Sequence, residues 1–232
     1  MKKSIFLLAI LSVFMIGTVS AQKPFSGTIV MKTEIVGLED PAEVAQTTPD
    51  ITYTISGNLS KSVLLQESAS ITSIVNGEKK VSYTVIEVTG LGKFYIEMTG
   101  AEFEEKFKLF DFQYEYLDET MEIAGYKAQK VILTVIDLET DEEESLILYV
   151  SKEISSDDLL NFAQYPGLKG FPLRTETELG EEYPGAKLIV EAKEIQKSSK
   201  IKAYEFLLPS DAQNLKESSP EIKRMFGMDP DE

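Results

Sequence analysis

The sequence predicts an α+β fold in which a single, mostly antiparallel sheet of about ten or eleven strands carries two or three helices on one face. Apolar and polar residues alternate with a period of two along most of the chain, which indicates half-buried strands. Helical spacing of apolar residues, by contrast, occurs only in short stretches. No segment has the composition of a linker, so we expect one domain. A sheet of this many strands has to curl or close on itself.

The first predicted strands are residues 25–35 and 51–55, where apolar side chains occupy alternate positions. Residues 71–75 and 80–88 flank Asn76-Gly77, and this dipeptide between two strands is typical of a hairpin. Residues 62–66 are a short apolar piece, and strand character occurs further at residues 93–98, 113–117, 121–123, 128–136, 146–150, 174–179, 187–195 and 201–207.

Three segments have features of helices. Phe103, Phe107 and Phe110 are spaced four and three residues apart with charged residues between them, which predicts a short amphipathic helix over residues 101–110. The polar sequence at residues 155–158 is typical of a helix N-cap, and it predicts a helix that starts near residue 159. A small apolar island at the end of the chain, Met225-Phe226-Gly227-Met228, suggests a third helix.

The first residues have the pattern of a cleavable signal peptide. Met1-Lys2-Lys3 precedes an uncharged apolar run over residues 5–17, and Val19-Ser20-Ala21 follows as the cleavage site. The run is shorter than the roughly 20 residues of a membrane-spanning helix, so we expect no stable membrane anchor. We predict a periplasmic or secreted protein in which residues 1–21 are removed, residues 22–215 form the domain and residues 216–232 form a polar tail.

The composition excludes several classes of function. The chain has 23 Lys and Arg against 39 Asp and Glu, a net charge of −16, and it contains neither Cys nor His. Nucleic-acid binding is excluded because it requires clustered positive charge. A chain without thiols and imidazoles cannot form disulfides, Cys- or His-dependent catalytic centres, or the usual zinc and haem sites. We therefore expect a protein that is not an enzyme and that uses no cofactor or metal ion.

Acidic residues suggest two alternatives. Carboxylates alternate along residues 137–144 at a spacing that calcium can use, but the sixth and twelfth positions of an EF-hand loop would be Glu142 and Leu148 instead of Gly and Glu. A charged hairpin tip explains the run fully, and calcium binding stays an open alternative. Two neighbouring pairs of acids are compatible with acid–base hydrolysis, although solvated surfaces also explain them: Glu102 with Glu105, and Glu181 with Glu182.

Apolar side chains of the predicted strands and of the first helix would line one side of a curved sheet. They either fill a closed core or form a groove that holds an acyl chain, and the pattern is compatible with both. The candidate groove residues are Ile29, Met31, Tyr53, Tyr83, Phe94, Ile96, Met98, Phe103 and Phe107.

Four short motifs resemble those of a secreted bacterial family of unknown function. They are MEIAGYKAQK at residues 121–130, LYVSK at 148–152, KGFPL at 169–173 and YEFLLP at 204–209, and they occur in the order of that family. The resemblance implies a fold similar to that of the periplasmic lipoprotein carriers LolA and LolB, which is an incomplete antiparallel half-barrel wrapped around helices with lipid on its concave side. In the matched motifs, Gly125 and Tyr126 suit a turn, and Gly170 and Pro172 suit a rigid crossing.

Two hypotheses for the function follow, with a hydrolase as a third. The first is a non-enzymatic exported protein that binds an apolar ligand, a lipid or a lipidated polypeptide such as a lipoprotein, in a groove between sheet and helices. The second is an interaction or scaffold protein of the cell envelope with a closed core and no small ligand. In the second case the partner is another envelope protein.

Overall fold

A computed structural model describes residues 24–38, 49–180 and 183–229. These residues form one sheet of twelve strands in the order β12-β6-β5-β4-β3-β2-β1-β11-β10-β9-β8-β7. The strands are β1 (Ser26–Val36), β2 (Ile51–Ser56), β3 (Leu59–Leu65), β4 (Ala69–Asn76), β5 (Val81–Val88), β6 (Gly92–Thr99), β7 (Phe110–Ile123), β8 (Tyr126–Asp137), β9 (Glu143–Ser151), β10 (Phe171–Glu178), β11 (Lys187–Lys197) and β12 (Gln213–Asn214). All pairs of neighbouring strands are antiparallel except the pair of β12 with β6, which is parallel.

Three hairpin loops lie where the sequence predicts turns. The Asn76-Gly77 dipeptide lies in the β4–β5 loop, where the Asn76 side chain accepts a hydrogen bond from the backbone of Lys79. Gly125 has a φ of 82° in the two-residue β7–β8 turn, and its left-handed backbone favours glycine. The acidic run forms the β8–β9 hairpin loop, in which Asp137 Oδ1 accepts hydrogen bonds from two backbone N–H groups of the loop.

Helix α1 (Gly100–Phe107) shows how strongly the sheet curls. It connects β6 to β7, which lie ten strand spacings apart in the sheet. That separation would be about 48 Å in a flat sheet, whereas the eight residues of α1 rise only about 12 Å. The sheet therefore curls until its two ends approach each other, and α1 bridges the gap between them.

The concave side of the curled sheet is covered by an irregular segment, residues 152–170, which we call the inner segment. We call the sheet face that carries Ile29, Val75 and Leu148 the inner face. The inner segment contacts all three regions of this face: Leu160 shares a core cluster with Ile29, Phe162 with Val75, and Leu168 with Leu148.

The inner segment holds the two halves of the sheet in contact with one another. On one side, a Cβ atom at Gly77 in the β4–β5 loop would lie 2.4 Å from the Leu159 carbonyl oxygen, so the two backbones touch. On the other side, the hydroxyl of Tyr114 in β7 donates to the Pro166 carbonyl oxygen at 3.1 Å. Because only six residues lie between Leu159 and Pro166, strands β4 and β7 must lie across the concavity from each other.

The C-terminal residues wrap around the edge of the sheet. On the outer face, Phe206 packs in a cluster with Ile74 and Val85. Residues Gln213–Asn214 then pair with the edge of β6, and helix α2 (Pro220–Met225) follows. The ring centroid of Phe226, in the predicted polar tail, lies 5.3 Å from that of Phe94 on the inner face. The C-terminal residues from Phe206 onwards therefore contact this edge of the sheet on both faces.

The predicted architecture, an incomplete LolA-like half-barrel of about ten or eleven strands wrapped around two or three helices, is wrong. In the described residues the sheet has twelve strands, and the two α-helices have eight and six residues. Neither helix fills the concavity, because α1 lies at the gap between the sheet ends and α2 lies at the C-terminal edge. The concavity is instead lined by the inner segment.

Two local predictions are also wrong for physical reasons. The helix predicted near residue 159 does not form, because the Asn161 side chain donates to the carbonyl oxygens of Leu168 and Gly170 (2.8 and 2.7 Å) and folds the segment back. The strand predicted at residues 201–207 is a 3₁₀ turn at Ala203–Phe206 that lies across the outer face.

No helix in the described part of the chain has the length and apolarity to cross a membrane. The predicted signal peptide, residues 1–21, lies outside the described residues.

Candidate binding site on the inner sheet face

The nine candidate groove residues do not form one groove. Ile29 and Met31 are buried in the largest core cluster, and Phe103 and Phe107 stack on each other at the gap between the sheet ends (5.8 Å between ring centroids). Tyr83 was predicted on the wrong face, because its strand register pairs it with Ile74, which faces outward. The four that share the inner face of β2 to β6 are Tyr53, Phe94, Ile96 and Met98.

A row of hydroxyl groups crosses the inner face of this half of the sheet. Tyr53 on β2 lies opposite Ser62 on β3, Ser62 opposite Ser73 on β4, and Ser73 opposite Thr84 on β5. All four side chains are half-buried. We call these four residues the hydroxyl row. Directly opposed residues lie about 5 Å apart, so the row is a continuous polar strip.

A second, deeper line of the same face carries two more hydroxyls. Ser60 lies opposite Val75, and Val75 lies opposite Ser82. Both serines are 6% exposed. Phe162 of the inner segment packs on Val75 between them. The deeper line is therefore covered by the inner segment, and the hydroxyl row lies beside that cover.

The hydroxyls of the hydroxyl row have unused hydrogen-bonding capacity. No group in the described ranges is within hydrogen-bonding geometry of the side-chain oxygens of Ser62, Ser73 and Thr84, or of the phenol of Tyr53. Their backbone groups are already used by the sheet ladder. No buried side-chain oxygen of the described residues lacks a partner, so these unbonded oxygens are open to solvent, and a polar group from outside the chain can reach them.

An apolar row runs beside the hydroxyl row on the side away from the inner segment. Leu64, Ile71 and Ile86 are opposed in register on β3, β4 and β5, and all three are half-buried. The row continues to Phe94, which is 2% exposed because Phe226 covers it. The two rows together form a strip that is about 15–20 Å long across the strands and about 7 Å wide. Such a strip can contact the polar and the apolar part of one ligand.

Aromatic residues form the end of the site at β2. The ring of Tyr53 contacts that of Phe171 edge-on at 5.5 Å. Burial raises the pKa of Tyr53, and burial together with the neighbouring Tyr53 raises the pKa of Tyr165 in the inner segment to about 12. Both phenols are therefore protonated at neutral pH, and they act as uncharged donors and acceptors.

The acidic pairs considered from the sequence have other roles or lie outside the description. Glu102 is part of the N-terminal cap of α1: its carboxylate accepts from the backbone of Thr99 at 2.7 Å and from Lys216 at 3.0 Å. These hydrogen bonds lower its pKa to about 2. Glu181 and Glu182 lie outside the described residues. Within the ranges that the structure covers, no three Asp or Glu side chains are close enough to hold a metal ion.

The hydroxyl row could not be recognised from single strands. In the sequence, Ser62, Ser73 and Thr84 look like the solvent-facing positions of an alternating pattern. Only the strand register shows that they lie on the inner face, opposite one another. The signal that was available was the clustering of Ser and Thr on three consecutive predicted strands.

Comparisons with known proteins add no assignment to this geometry. No family model matches the chain, and no curated protein matches it.

Proposed function

We propose that the protein is a non-enzymatic binding protein that holds an uncharged amphipathic molecule on the inner face of β2 to β5. The apolar chain of the ligand lies on Leu64, Ile71 and Ile86, and its polar group hydrogen-bonds to the hydroxyl row. The observation that supports this function is the row of unpartnered hydroxyls beside a half-exposed apolar row on a concave surface.

The chemistry of the site indicates which ligands it accepts. Apolar contact stabilises the bound chain by about 0.8 kcal/mol for each buried CH₂ group. Hydroxyls and protonated phenols both donate and accept, so they suit alcohols, esters and amides. An anionic head group is disfavoured by the net charge of −16, and no Lys or Arg stands in either row to compensate for it.

Direct binding measurements test this proposal. We would measure the fluorescence of Nile red, an uncharged apolar dye, with the purified protein, and its displacement by 1-monooleoylglycerol. We expect Nile red to bind and the monoacylglycerol to displace it. A folded protein that takes up neither compound would contradict the proposal.

A variant and its matched control test whether the dye binds on the inner face. Ser73→Trp fills the middle of the hydroxyl row, and we expect at least a tenfold loss of dye affinity. The control Thr52→Trp adds the same ring to an exposed position on the outer face of β2, and its affinity should be unchanged. Equal binding by the two folded variants would place the dye elsewhere.

The combined variant Ser62→Ala, Ser73→Ala and Thr84→Val tests the role of the hydroxyls. It keeps the shape of the strip and removes three hydrogen-bonding groups. We expect Nile red to bind as well as before, and 1-monooleoylglycerol to displace it about tenfold less effectively. An unchanged displacement would show that the hydroxyls do not contact the ligand.

A further inference from the structure

One edge of the sheet is formed by β7, a strand of 14 residues that pairs with β8 on one side only. The two-residue turn at Ala124-Gly125 closes on the opposed pair Ile123 and Tyr126. In such a hairpin the closing pair exchanges both backbone hydrogen bonds, and every second pair along the ladder does the same. The register of β7 shifts between Tyr116 and Thr120, but β8 pairs regularly with β9 through this region, so the even-numbered residues of β8 bond to β7 on both sides of the shift.

This alternation shows which backbone groups of β7 point away from the sheet. The hydrogen-bonded partners of β8 are Asp111, Gln113 and Glu115, which lie opposite Ile136, Thr134 and Ile132. The N–H and C=O groups of the intervening residues, Phe112, Tyr114 and Tyr116, consequently point outward. Elsewhere in the described chain no backbone group bonds to them. An edge of this kind can template the pairing of another strand.

The side chains along this edge carry negative charge. Strand β7 contains five acidic residues and no basic one: Asp111, Glu115, Asp118, Glu119 and Glu122. Asp111 and Glu115 are exposed and alternate with Phe112 and Tyr114, which face inward. A second copy of this chain would bring the same acids alongside and would be repelled, whereas a basic strand would be attracted.

We infer that the β7 edge is the docking site for an extended, basic segment of another polypeptide, which adds to the sheet as a further strand. The main-chain groups of Phe112, Tyr114 and Tyr116 would supply the backbone hydrogen bonds, and Asp111 and Glu115 would select Lys or Arg at alternate positions. This site is separate from the inner face, so the inference does not depend on the proposed ligand.

Two labelled peptides test this inference with the purified protein. One is an extended peptide of repeating Lys-Thr-Lys-Val, and the other has the same sequence with an N-methyl group on every residue, so that neither edge of the peptide can donate. The charge of the two is identical, but the methylated peptide cannot donate the edge hydrogen bonds. By fluorescence anisotropy we expect the first peptide to bind at least tenfold more tightly than the second. If the two peptides bound with equal affinity, charge attraction alone would explain the binding, and the inference would be overturned.

Matched charge-reversal variants localise the contact. Asp111→Lys with Glu115→Lys reverses the charge at the edge, and we expect at least a tenfold loss of affinity for the first peptide. Glu67→Lys with Glu87→Lys makes the same change in net charge at two exposed positions in the other half of the molecule, one in the β3–β4 loop and one on β5. The affinity of this variant should stay within about twofold of that of the unmodified protein. Equal losses in the two folded variants would contradict an edge site.

Residue-resolved hydrogen exchange gives a readout that does not depend on a variant. Peptide binding should slow exchange at the amides of Phe112, Tyr114 and Tyr116, whereas those of Asp111, Gln113 and Glu115 are protected already. No change at the three outward amides would overturn the inference. Sedimentation of the protein alone should show a monomer, and a dimer that protects the same amides would make a second copy the occupant instead.

Discussion

The two halves of the sheet differ in what covers their inner face. In the half formed by β8 and β9, Val131, Leu133 and Leu148 are at most 1% exposed, and Leu168 of the inner segment packs on them at 0% exposure. In the half formed by β3 to β5, the inner face carries Ser62, Ser73 and Thr84, all half-buried. One continuous sheet thus has a filled half and a partly open half.

The difference shows that strand composition and cover are matched in this protein. On β8 and β9 the inner segment faces aliphatic side chains, which form a dry core. On β3 to β5 the inner segment covers only the line of Ser60, Val75 and Ser82. The half-buried hydroxyls lie beyond this line, where a hydroxyl can remain beside water or a polar ligand at no desolvation cost. The partly open half is therefore the half in which a binding function is physically reasonable.

The largest expected effect is a difference in stability between the two halves. Leu168→Ala removes a fully buried side chain from the filled half, and we expect the free energy of unfolding to fall by about 3–5 kcal/mol. Leu64→Ala makes the same chemical change in the open half, where the side chain is half-exposed, and should cost about 1 kcal/mol or less. Urea unfolding measures both. Equal losses would mean that both halves are equally well packed.

A smaller effect is expected from the side chain that shapes the inner segment. Asn161 is 4% exposed and donates to the carbonyl oxygens of Leu168 and Gly170. Asn161→Ala leaves two buried acceptors unsatisfied, so we expect a loss of about 2–3 kcal/mol. Gln164→Ala is the matched control, because this exposed amide only contacts the Tyr165 hydroxyl. If the two variants were equally stable, the fold of the segment would not depend on Asn161.

Local patterns in the sequence predict the strands well because they depend on neighbouring residues. The alternation at residues 25–35 corresponds to β1, and the Phe103–Phe107 spacing corresponds to α1. The inner segment was predicted to contain a helix, because residues 155–162 have the pattern of a helix N-cap. In the structure the Asn161 side chain donates to the carbonyl oxygens of Leu168 and Gly170, and these hydrogen bonds override the local pattern. Local patterns carry no information about bonds of that kind.

The candidate site was harder to predict than the strands because it depends on register between strands. Tyr53, Phe94, Ile96 and Met98 lie on one face of the sheet, whereas Tyr83, which the sequence pattern assigned to the same face, lies on the other. A one-residue difference in position moves a side chain through the sheet. The hydroxyl row was missed for the same reason, because it exists only once β2 to β5 are aligned.

The smallest expected effect concerns α1, which joins the two halves at the gap between them. Hydrogen bonds from Thr99 and Lys216 lower the pKa of Glu102 to about 2 in the folded protein. A carboxylate with a depressed pKa stabilises the fold above its ordinary pKa, and this contribution is lost as the pH falls towards 2. Glu102→Gln removes the charge, so its melting temperature should lie slightly below that of the unmodified protein at neutral pH. We expect this difference to shrink below about pH 4.5 and to vanish near pH 2. Glu104→Gln, on the same helix but outside the cap, is the control. If it lowered the melting temperature at neutral pH as much as Glu102→Gln does, the effect would come from the loss of a charge on the helix and not from the cap.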